Sequence, residues 1–290
     1  MSTKHILPNL FLAGAPKCGT TSVYDWLVNH PDISGGVDKE LFYLVDEADW
    51  KFNKKSNWQD HREEGYAKLF KQENKYIVDG TTLTIYQNSA LEYAQAHPCK
   101  ALFFIREPSQ RIYSTFKYFR DTRTVLPAGL SFDEFISEVE NGNSFGGNNQ
   151  LSAVIEQSRY HMFINKWIEI LGADNVRVYD FSALKKDKKA LMRDICEWLG
   201  IDQTIYDNFD FSHKNETAIV RNRTLNKVKE KIGVRIKNEK LKELIRPIYN
   251  SLNKKKPDNT ANEQEGLVKE RLRVDLTEDF NQSLNMVKEV

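Results

Sequence analysis

Three groups of polar residues in this chain have the types and the spacing needed to bind and transfer an anionic group. The first is Lys17, which precedes three hydroxyl residues, Thr20, Thr21 and Ser22. A helical pattern begins at these hydroxyls, so Lys17 adds a full positive charge to the free N–H groups of a helix N-terminus. We therefore predict a binding site for a phosphate or a similar anion. The simpler alternative is a strand-to-helix turn without a ligand.

A second group of cationic and hydroxyl residues follows the apolar run 100–105. Arg106 ends that run, and Arg111, Ser114 and Tyr118 fall on the amphipathic helix predicted after it. Guanidinium and hydroxyl donors suit the oxygens of a phosphate. The group predicts a second phosphate site, and the alternative is a helix start that carries surface charges.

The third group supplies a candidate proton acceptor. Lys39 and Glu40 precede an aromatic pair, Phe42 and Tyr43. A carboxylate within reach of a hydroxyl group can take its proton while that hydroxyl attacks. The alternative for Glu40 is a surface ion pair with Lys39.

A shorter segment, Asp79 to Thr82, is acidic at its start and rich in hydroxyl groups. The Asp79 carboxylate can position an acceptor or Lys17. It can equally bond to its own backbone two residues further on, as aspartates in turns do. The sequence leaves both roles open.

These groups follow predicted strands. Apolar runs predict buried strands at 10–13, 75–79, 100–105 and 176–179. Predicted helices, among them 154–171 and 184–199, alternate with the strands, which is typical of right-handed βαβ units in a parallel sheet. Ligands bind such sheets at the carboxyl ends of the strands. The predicted fold class is therefore α/β, with a central parallel β-sheet flanked by helices.

The chain length of 290 residues suits one large α/β domain, and we predict a single domain over 1–290. Two polar or glycine-rich segments, at about 45–62 and 127–149, are predicted to be mobile loops. A helix at about 266–288 is predicted to close the domain. The sequence does not determine whether the two loops form an acceptor site.

Composition and charge exclude several other classes of protein. The net charge of +1 provides no overall field for nucleic acid. The 3 cysteines are widely spaced, which predicts neither a disulfide framework nor a zinc site, and we expect no metal. No run approaches the ~20 apolar residues that cross a bilayer. We therefore expect a cytoplasmic protein without a transmembrane segment and without a nucleic-acid partner.

The Lys17 loop differs from the loop that binds nucleoside triphosphates. Gly14 and Gly19 have the spacing of that loop, but Thr20 stands where its lysine belongs. A lysine inside the loop, followed by Gly-Thr-Thr, resembles the 5′-phosphosulfate loop of sulfotransferases. Those enzymes use 3′-phosphoadenosine 5′-phosphosulfate (PAPS) as the sulfuryl donor. The resemblance implies the P-loop-like sulfotransferase fold.

Further segments extend this resemblance over roughly residues 8–280. The Arg106 to Ser114 segment resembles the motif that holds the 3′-phosphate of PAPS in these enzymes. The segment 39–43 resembles the K-E-x-x-[FY] element of the bacterial and glycan-type members, in which the glutamate is the general base. Residues 158–167 resemble a pattern inside a helix of the family, and residues 213–225 resemble a late loop that closes over the adenosine.

The resemblance implies a PAPS-dependent sulfotransferase that transfers a sulfuryl group to a hydroxyl of a carbohydrate, a glycan-like molecule or another small molecule, with an amine as the alternative acceptor group. Lys17 and Glu40 would be the catalytic residues, and no metal would be needed. The implied donor-binding residues are Lys17, Cys18, Gly19, Thr20, Thr21, Ser22, Arg106, Ser114, Arg221 and Arg223. The alternatives are a P-loop nucleotide kinase and a catalytically inactive nucleotide-binding relative.

Overall fold

A parallel β-sheet forms the centre of the protein. The computed structural model describes residues 5–211, 219–220, 254–255 and 263–290. The sheet has the strand order β2-β3-β1-β4-β5, and all of its strand pairs are parallel. Its strands are β1 (Leu10–Gly14), β2 (Ile33–Gly35), β3 (Tyr76–Asp79), β4 (Lys100–Ile105) and β5 (Val176–Asp180). The predicted α/β fold class is confirmed.

The central strands are fully buried because their residues are apolar on both faces. Every residue of β1 is buried, and β4 is buried from Ala101 to Ile105. Continuous apolar runs of this kind fit a parallel sheet that is covered by helices on both sides. In the register of the sheet, Leu10 of β1 lies opposite Val78 of β3 and Lys100 of β4.

Helices follow the strands and cover the sheet. They are α1 (Thr20–Leu27), α2 (Trp58–Ala67), α3 (Asn88–Ala96), α4 (Pro108–Lys117), α5 (Phe132–Glu140), α6 (Asn149–Ser152), α7 (Tyr160–Leu171), α8 (Ala183–Lys186), α9 (Lys188–Leu199), α10 (Glu263–Asp275) and α11 (Thr277–Leu284). Helix α4 continues directly into one π-helical turn, Tyr118–Thr122. A short antiparallel pair, β6 (Ile219–Val220) and β7 (Lys254–Lys255), lies apart from the main sheet.

Two apolar clusters pack around this framework. The larger cluster lies on the main sheet and includes Phe11, Phe103 and Trp167, whose rings are in contact. The smaller cluster joins α4, α5 and α10, and it includes Phe116 of α4 and Leu272 of α10. The smaller cluster therefore fixes α4, the helix that carries Ser114.

The structure differs from the sequence prediction at several element boundaries. Strand β2 was not predicted, because its three residues are too short to show a pattern. The helix predicted over 154–171 begins only at Tyr160, after a short 3-10 turn, Glu156–Ser158. The helix predicted over 184–199 is divided at Asp187, whose side chain caps α9 by accepting from the Ala190 N–H.

The predicted closing helix, at about 266–288, is two helices. The chain leaves the helical conformation at Leu276, which is buried and precedes α11. Leu272 is also buried, whereas Leu284 is 38% exposed. The helical conformation is therefore interrupted at Leu276, although the buried residues continue from α10 to the start of α11. That the chain forms a single domain stays a prediction.

Candidate active site

A polar cleft of about 720 Å³ opens at the carboxyl ends of the sheet strands. Its wall includes Lys17 after β1, Thr82 after β3, Arg106 after β4 and Phe181 after β5. The volume lies within the ~300–1,000 Å³ typical of small-molecule sites. The cleft lining includes these predicted site residues: Lys17, Gly19, Thr20, Thr21, Ser22, Glu40, Arg106 and Ser114.

The loop between β1 and α1 presents the start of a helix to this cleft. Gly19 precedes α1 at φ 83°, and no side chain caps the helix. The N–H groups of Thr20 and Thr21 are therefore left for a ligand, whereas that of Ser22 donates to the Gly19 carbonyl at 3.2 Å. A Cβ at position 19 would lie 2.5 Å from Leu184 Cδ1 and 2.8 Å from Phe181 Cε2, so only glycine fits at this turn.

The Lys17 ammonium lies against an aromatic ring. Its Nζ is 4.1 Å from the centre of the Tyr118 ring, which belongs to the π-helical turn after α4. Burial and, next, the positive charge of Arg106 lower the pKa of Lys17 to about 8. Both effects disfavour the charged form of Lys17. An anion bound in the cleft would offset the repulsion from Arg106 and favour the charged form.

Cys18, which was predicted to bind the donor, lies beneath the loop. It is fully buried, and its thiol faces the Pro16 carbonyl at 3.7 Å. Its backbone N–H donates to the Ala15 carbonyl at 3.3 Å. Burial raises the pKa of the thiol to about 11, so the thiol is protonated at neutral pH. All three cysteines of the chain are free and buried.

Arg111 supports the loop from below. It is 1% exposed, and its Nε donates to the Pro16 carbonyl at 3.2 Å. Its other nitrogens donate to Ser158 Oγ at 2.8 Å and to the Tyr86 hydroxyl at 3.1 Å. These contacts use its donors, so Arg111 holds the fold together and is not the phosphate ligand that its spacing suggested. Ser158, noted in the sequence, is one of its partners.

Arg106 and Ser114 both line the cleft. The Tyr160 hydroxyl donates to the Arg106 carbonyl at 2.7 Å, which fixes the end of β4. The Arg106 guanidinium lies 4.8 Å from the centre of the Phe181 ring. Glu107 caps α4 by accepting from the N–H groups of Ser109 and Gln110. The Glu107 carboxylate therefore occupies the N–H groups at the start of α4. A ligand would instead contact the cationic and hydroxyl side chains beside them.

Glu40 lines the cleft with its carboxylate held on one side. Its Oε1 accepts from Thr82 Oγ1 at 2.9 Å and from Lys39 Nζ at 3.1 Å. Its side chain is 34% exposed, so a bound hydroxyl group can reach it. The ion pair with Lys39 that the sequence offered as an alternative is present, and the carboxylate nevertheless remains part of the cleft wall.

The turn after β3 positions the segment that carries Glu40. The Gly80 N–H donates to the Lys39 carbonyl at 3.1 Å, and the Leu41 N–H donates to Thr81 Oγ1 at 2.9 Å. Asp79 holds this turn from behind, because its carboxylate accepts from the Thr81 N–H and the Tyr66 hydroxyl. Asp79 is 1% exposed, and burial raises its pKa. Of the two roles left open for Asp79, the structure supports the bond to its own turn.

Lys51 and Phe181 line the cleft and were not singled out from the sequence, whereas Trp50 was one of the aromatic residues noted there. Trp50 and Lys51 come from the segment 45–62, whereas no residue of the segment 127–149 is part of the cleft wall. Phe181 follows β5 directly, so the rule that ligands bind at strand ends could have identified it. Lys51 stands in a polar stretch without any motif that would single it out. The mobility of both segments stays a prediction.

The late loop predicted from the resemblance falls largely outside the described residues, as do Arg221 and Arg223. Within it only β6 is described, and that strand lies beside the π-helical turn Tyr118–Thr122. Among the described residues, no group of His, Cys, Asp or Glu side chains is arranged to hold a metal ion. No helix in this part of the chain is long and apolar enough to cross a membrane.

Comparison with known proteins agrees with the architecture of the fold. A crystal structure of a sulfotransferase from Alicyclobacillus acidocaldarius superposes with a TM-score of 0.61 at 22% sequence identity, over 72% of this chain and 86% of that one. This similarity shows a shared fold and confirms the predicted sulfotransferase architecture.

Curated proteins that are similar in sequence to this chain are also named as sulfotransferases. Bifunctional heparan sulfate N-deacetylase/N-sulfotransferase 1 of Homo sapiens is 24% identical over 217 residues, which cover 68% of this chain and 22% of that protein. The protein of the same name from Caenorhabditis briggsae is 20% identical over 213 residues, 69% of this chain and 23% of its own length. The chain thus matches less than a quarter of these relatives.

The family itself is shown by a match that spans most of the sequence. Residues 7–255 match the model of the family described as "Sulfotransferase domain". That range includes the Lys17 loop, Glu40, Arg106 and Ser114. This protein therefore belongs to the sulfotransferase domain family.

Proposed function

We propose that this protein transfers the sulfuryl group of PAPS to a hydroxyl group of an acceptor. One observation carries the proposal: two cations that pair with no anionic group among the described residues line one cleft beside the start of α1, which no described side chain caps. Among the described residues, the Lys17 ammonium and the Arg106 guanidinium each contact an aromatic ring and no carboxylate. A donor with negative groups at both its 5′ and its 3′ positions fits this pair.

The donor would be bound by the loop and by the end of β4. The N–H groups at the start of α1, together with Thr20, Thr21 and Ser22, would hold the 5′-phosphosulfate. Arg106 and Ser114 would hold the 3′-phosphate, a group that ATP lacks. Arg221 and Arg223 are proposed to close over the adenosine and the 3′-phosphate, as the resemblance implies.

In the proposed reaction, Glu40 takes the proton of the acceptor hydroxyl while the hydroxyl oxygen attacks the sulfur in line. The bond between the sulfur and the bridging oxygen of the 5′-phosphate breaks, and 3′-phosphoadenosine 5′-phosphate leaves. Negative charge builds on the bridging oxygen, so the Lys17 ammonium stabilises the transition state. One fixed donor of this kind typically contributes about 100- to 1,000-fold to the rate.

We propose a carbohydrate or glycan-like acceptor. The support is the glutamate in the position of the base, which resembles the bacterial and glycan-type members. The name of the human relative describes action on heparan sulfate, which is a carbohydrate. The cytoplasmic location expected from the sequence stays a prediction.

Transfer of label from ³⁵S-PAPS to a pool of glycosides tests this function. We expect wild-type protein to label acceptors, and Glu40→Gln to reduce the rate by about 100- to 10,000-fold while binding 3′-phosphoadenosine 5′-phosphate normally. Glu47→Gln is the matched control, because Glu47 is exposed and outside the cleft. Full activity of Glu40→Gln would show that another group is the base.

A further inference from the structure

A third cation in the cleft, Lys51, has no part in the proposed donor contacts. The Lys51 ammonium lies 4.3 Å from the centre of the Trp50 ring and 4.7 Å from that of Phe42. Within the described part of the chain, its Nζ meets neither a carboxylate within 4.0 Å nor a hydrogen-bond acceptor. Lys51 thus resembles Lys17 and Arg106, since each of the three is a cation resting on aromatic rings in one cleft.

Lys51 stands at the Glu40 end of the cleft. The ring beneath it, Phe42, is two residues after Glu40. Burial and then Arg123 lower the pKa of Lys51, and the Glu40 carboxylate acts in the opposite direction. Arg106, by contrast, is one of the charges that act on Lys17. Glu40 acts on Lys17 as well as on Lys51, so its carboxylate lies within electrostatic range of both ammonium groups.

The backbone of Lys51 is fixed before any substrate arrives. Asp49, which is 6% exposed, accepts from the Lys51 N–H at 2.8 Å. Its other carboxylate oxygen accepts from Gln87 Nε2 and from Asn149 Nδ2, each at 3.0 Å. The Asp49 carboxylate is thus occupied by three donors from three segments. It holds the Trp50–Lys51 segment in place and leaves the ammonium available to a ligand.

The balance of charge in the cleft favours an anionic acceptor. Five lining residues are cationic and two are acidic, in a chain whose net charge is +1. The acidic side chains are Asp38 and Glu40, and the carboxylate of Glu40 pairs with Lys39. The proposed donor contacts account for Lys17 and Arg106. Positive charge at the acceptor end is therefore left without a role in donor binding.

We propose that Lys51 is the binding residue for an anionic substituent, a carboxylate or a sulfate, on the acceptor. The inference rests on the proposed function and specifies its substrate class. The acceptor places its hydroxyl group at Glu40 and its anionic group at Lys51, beside the rings of Trp50 and Phe42. Those rings offer a flat apolar surface to the body of the acceptor.

The test compares three acceptors built on one scaffold, with ³⁵S-PAPS as the donor. They are 4-nitrophenyl β-D-glucuronide, which carries a carboxylate, 4-nitrophenyl β-D-glucoside 6-sulfate, and the neutral 4-nitrophenyl β-D-glucoside. Lys51→Gln keeps the length of the side chain and removes its charge. Lys54→Gln is the matched control, because Lys54 is exposed on the same segment.

We expect wild-type protein to prefer one or both charged glycosides. In Lys51→Gln the KM of the preferred glycoside should rise about 10- to 100-fold, the usual effect of losing one hydrogen bond to a charged group. The affinity for 3′-phosphoadenosine 5′-phosphate should not change, and Lys54→Gln should behave as wild type. The charged glycoside that responds identifies the anion.

Three results would overturn the inference while the donor site stands. The first is normal binding of 3′-phosphoadenosine 5′-phosphate without transfer to either charged glycoside. The second is an unchanged KM in Lys51→Gln. The third is a loss of nucleotide affinity in that variant as large as its rise in KM, which would make Lys51 a donor ligand. Failure of the wild-type protein to bind the nucleotide at all would instead contradict the proposed function.

Discussion

Burial and the charge of Arg106 lower the pKa of Lys17 to about 8, close to neutral pH. Below that value the side chain is an ammonium ion, and above it the side chain becomes a neutral amine. Only the ammonium can stabilise negative charge on the donor. The fold therefore makes the charge of this one residue sensitive to modestly alkaline solution, to which a solvent-exposed lysine would not respond.

Nucleotide affinity should consequently depend on pH. We expect the affinity for 3′-phosphoadenosine 5′-phosphate to be constant below pH 8 and to fall, by at most about tenfold per pH unit, as the pH rises above 8. Titration calorimetry at pH 7, 8 and 9 measures this. Lys17→Met should bind more weakly and with no such fall. A wild-type affinity that is constant to pH 9 would contradict the assigned role of Lys17.

The sequence indicated the chemistry of individual residues better than it indicated which way their side chains point. Lys17, Glu40, Arg106 and Ser114 were identified by type and spacing, and all four line one cleft. Arg111 has equally suitable spacing, but it lies on the buried face of α4. Spacing within a motif does not reveal which face of a helix is covered, because other segments of the chain provide that cover.

At the scale of elements, the junction between β1 and α1 depends on one glycine. Gly19 adopts φ 83°, and the side chains of Leu184 and Phe181 occupy the space that a Cβ would need. Phe181 and α8, which follow β5, thus pack directly against the loop between β1 and α1. This contact joins distant parts of the sequence, so no local pattern could have predicted it.

Gly19→Ala should therefore impair both stability and binding. A positive φ at alanine costs about 1–2 kcal/mol, and overpacking adds about 1–3 kcal/mol. Gly142→Ala is the matched control, because Gly142 has φ 78° and an added Cβ there would meet no described atom within 4 Å. It should show only the first effect. Urea unfolding measures the two losses, and equal values for both variants would contradict the close packing at Gly19.

Long apolar patterns predicted elements well, and short or interrupted ones did not. The strand predicted over 100–105 matches β4, Lys100–Ile105. The three residues of β2 are recognisable only because they pair with Tyr76, Ile77 and Val78 of β3. Likewise, the break between α10 and α11 at Leu276 lies within an apolar periodicity that continues through it. Pairing and packing between distant segments determine that β2 forms and where α10 ends.

At the scale of the whole molecule, the ends of four strands bring separate segments to one cleft. The near-neutral net charge of +1 conceals this concentration of positive charge. Composition alone therefore predicted no general affinity for nucleic acid, and it did not reveal the cations gathered in the cleft. The segment with Lys51, which is proposed to bind the acceptor, was the part of the cleft that motifs did not reveal.

The most direct test of the account is a comparison of nucleotides by thermal unfolding. At about 100 times its Kd, 3′-phosphoadenosine 5′-phosphate should add about 2.7 kcal/mol of stability and raise the Tm by about 4 °C. ATP with Mg²⁺ should have little effect, since it lacks the 3′-phosphate assigned to Arg106 and Ser114. A shift with ATP and Mg²⁺ but none with the 3′,5′-bisphosphate would contradict the account and favour a nucleotide kinase.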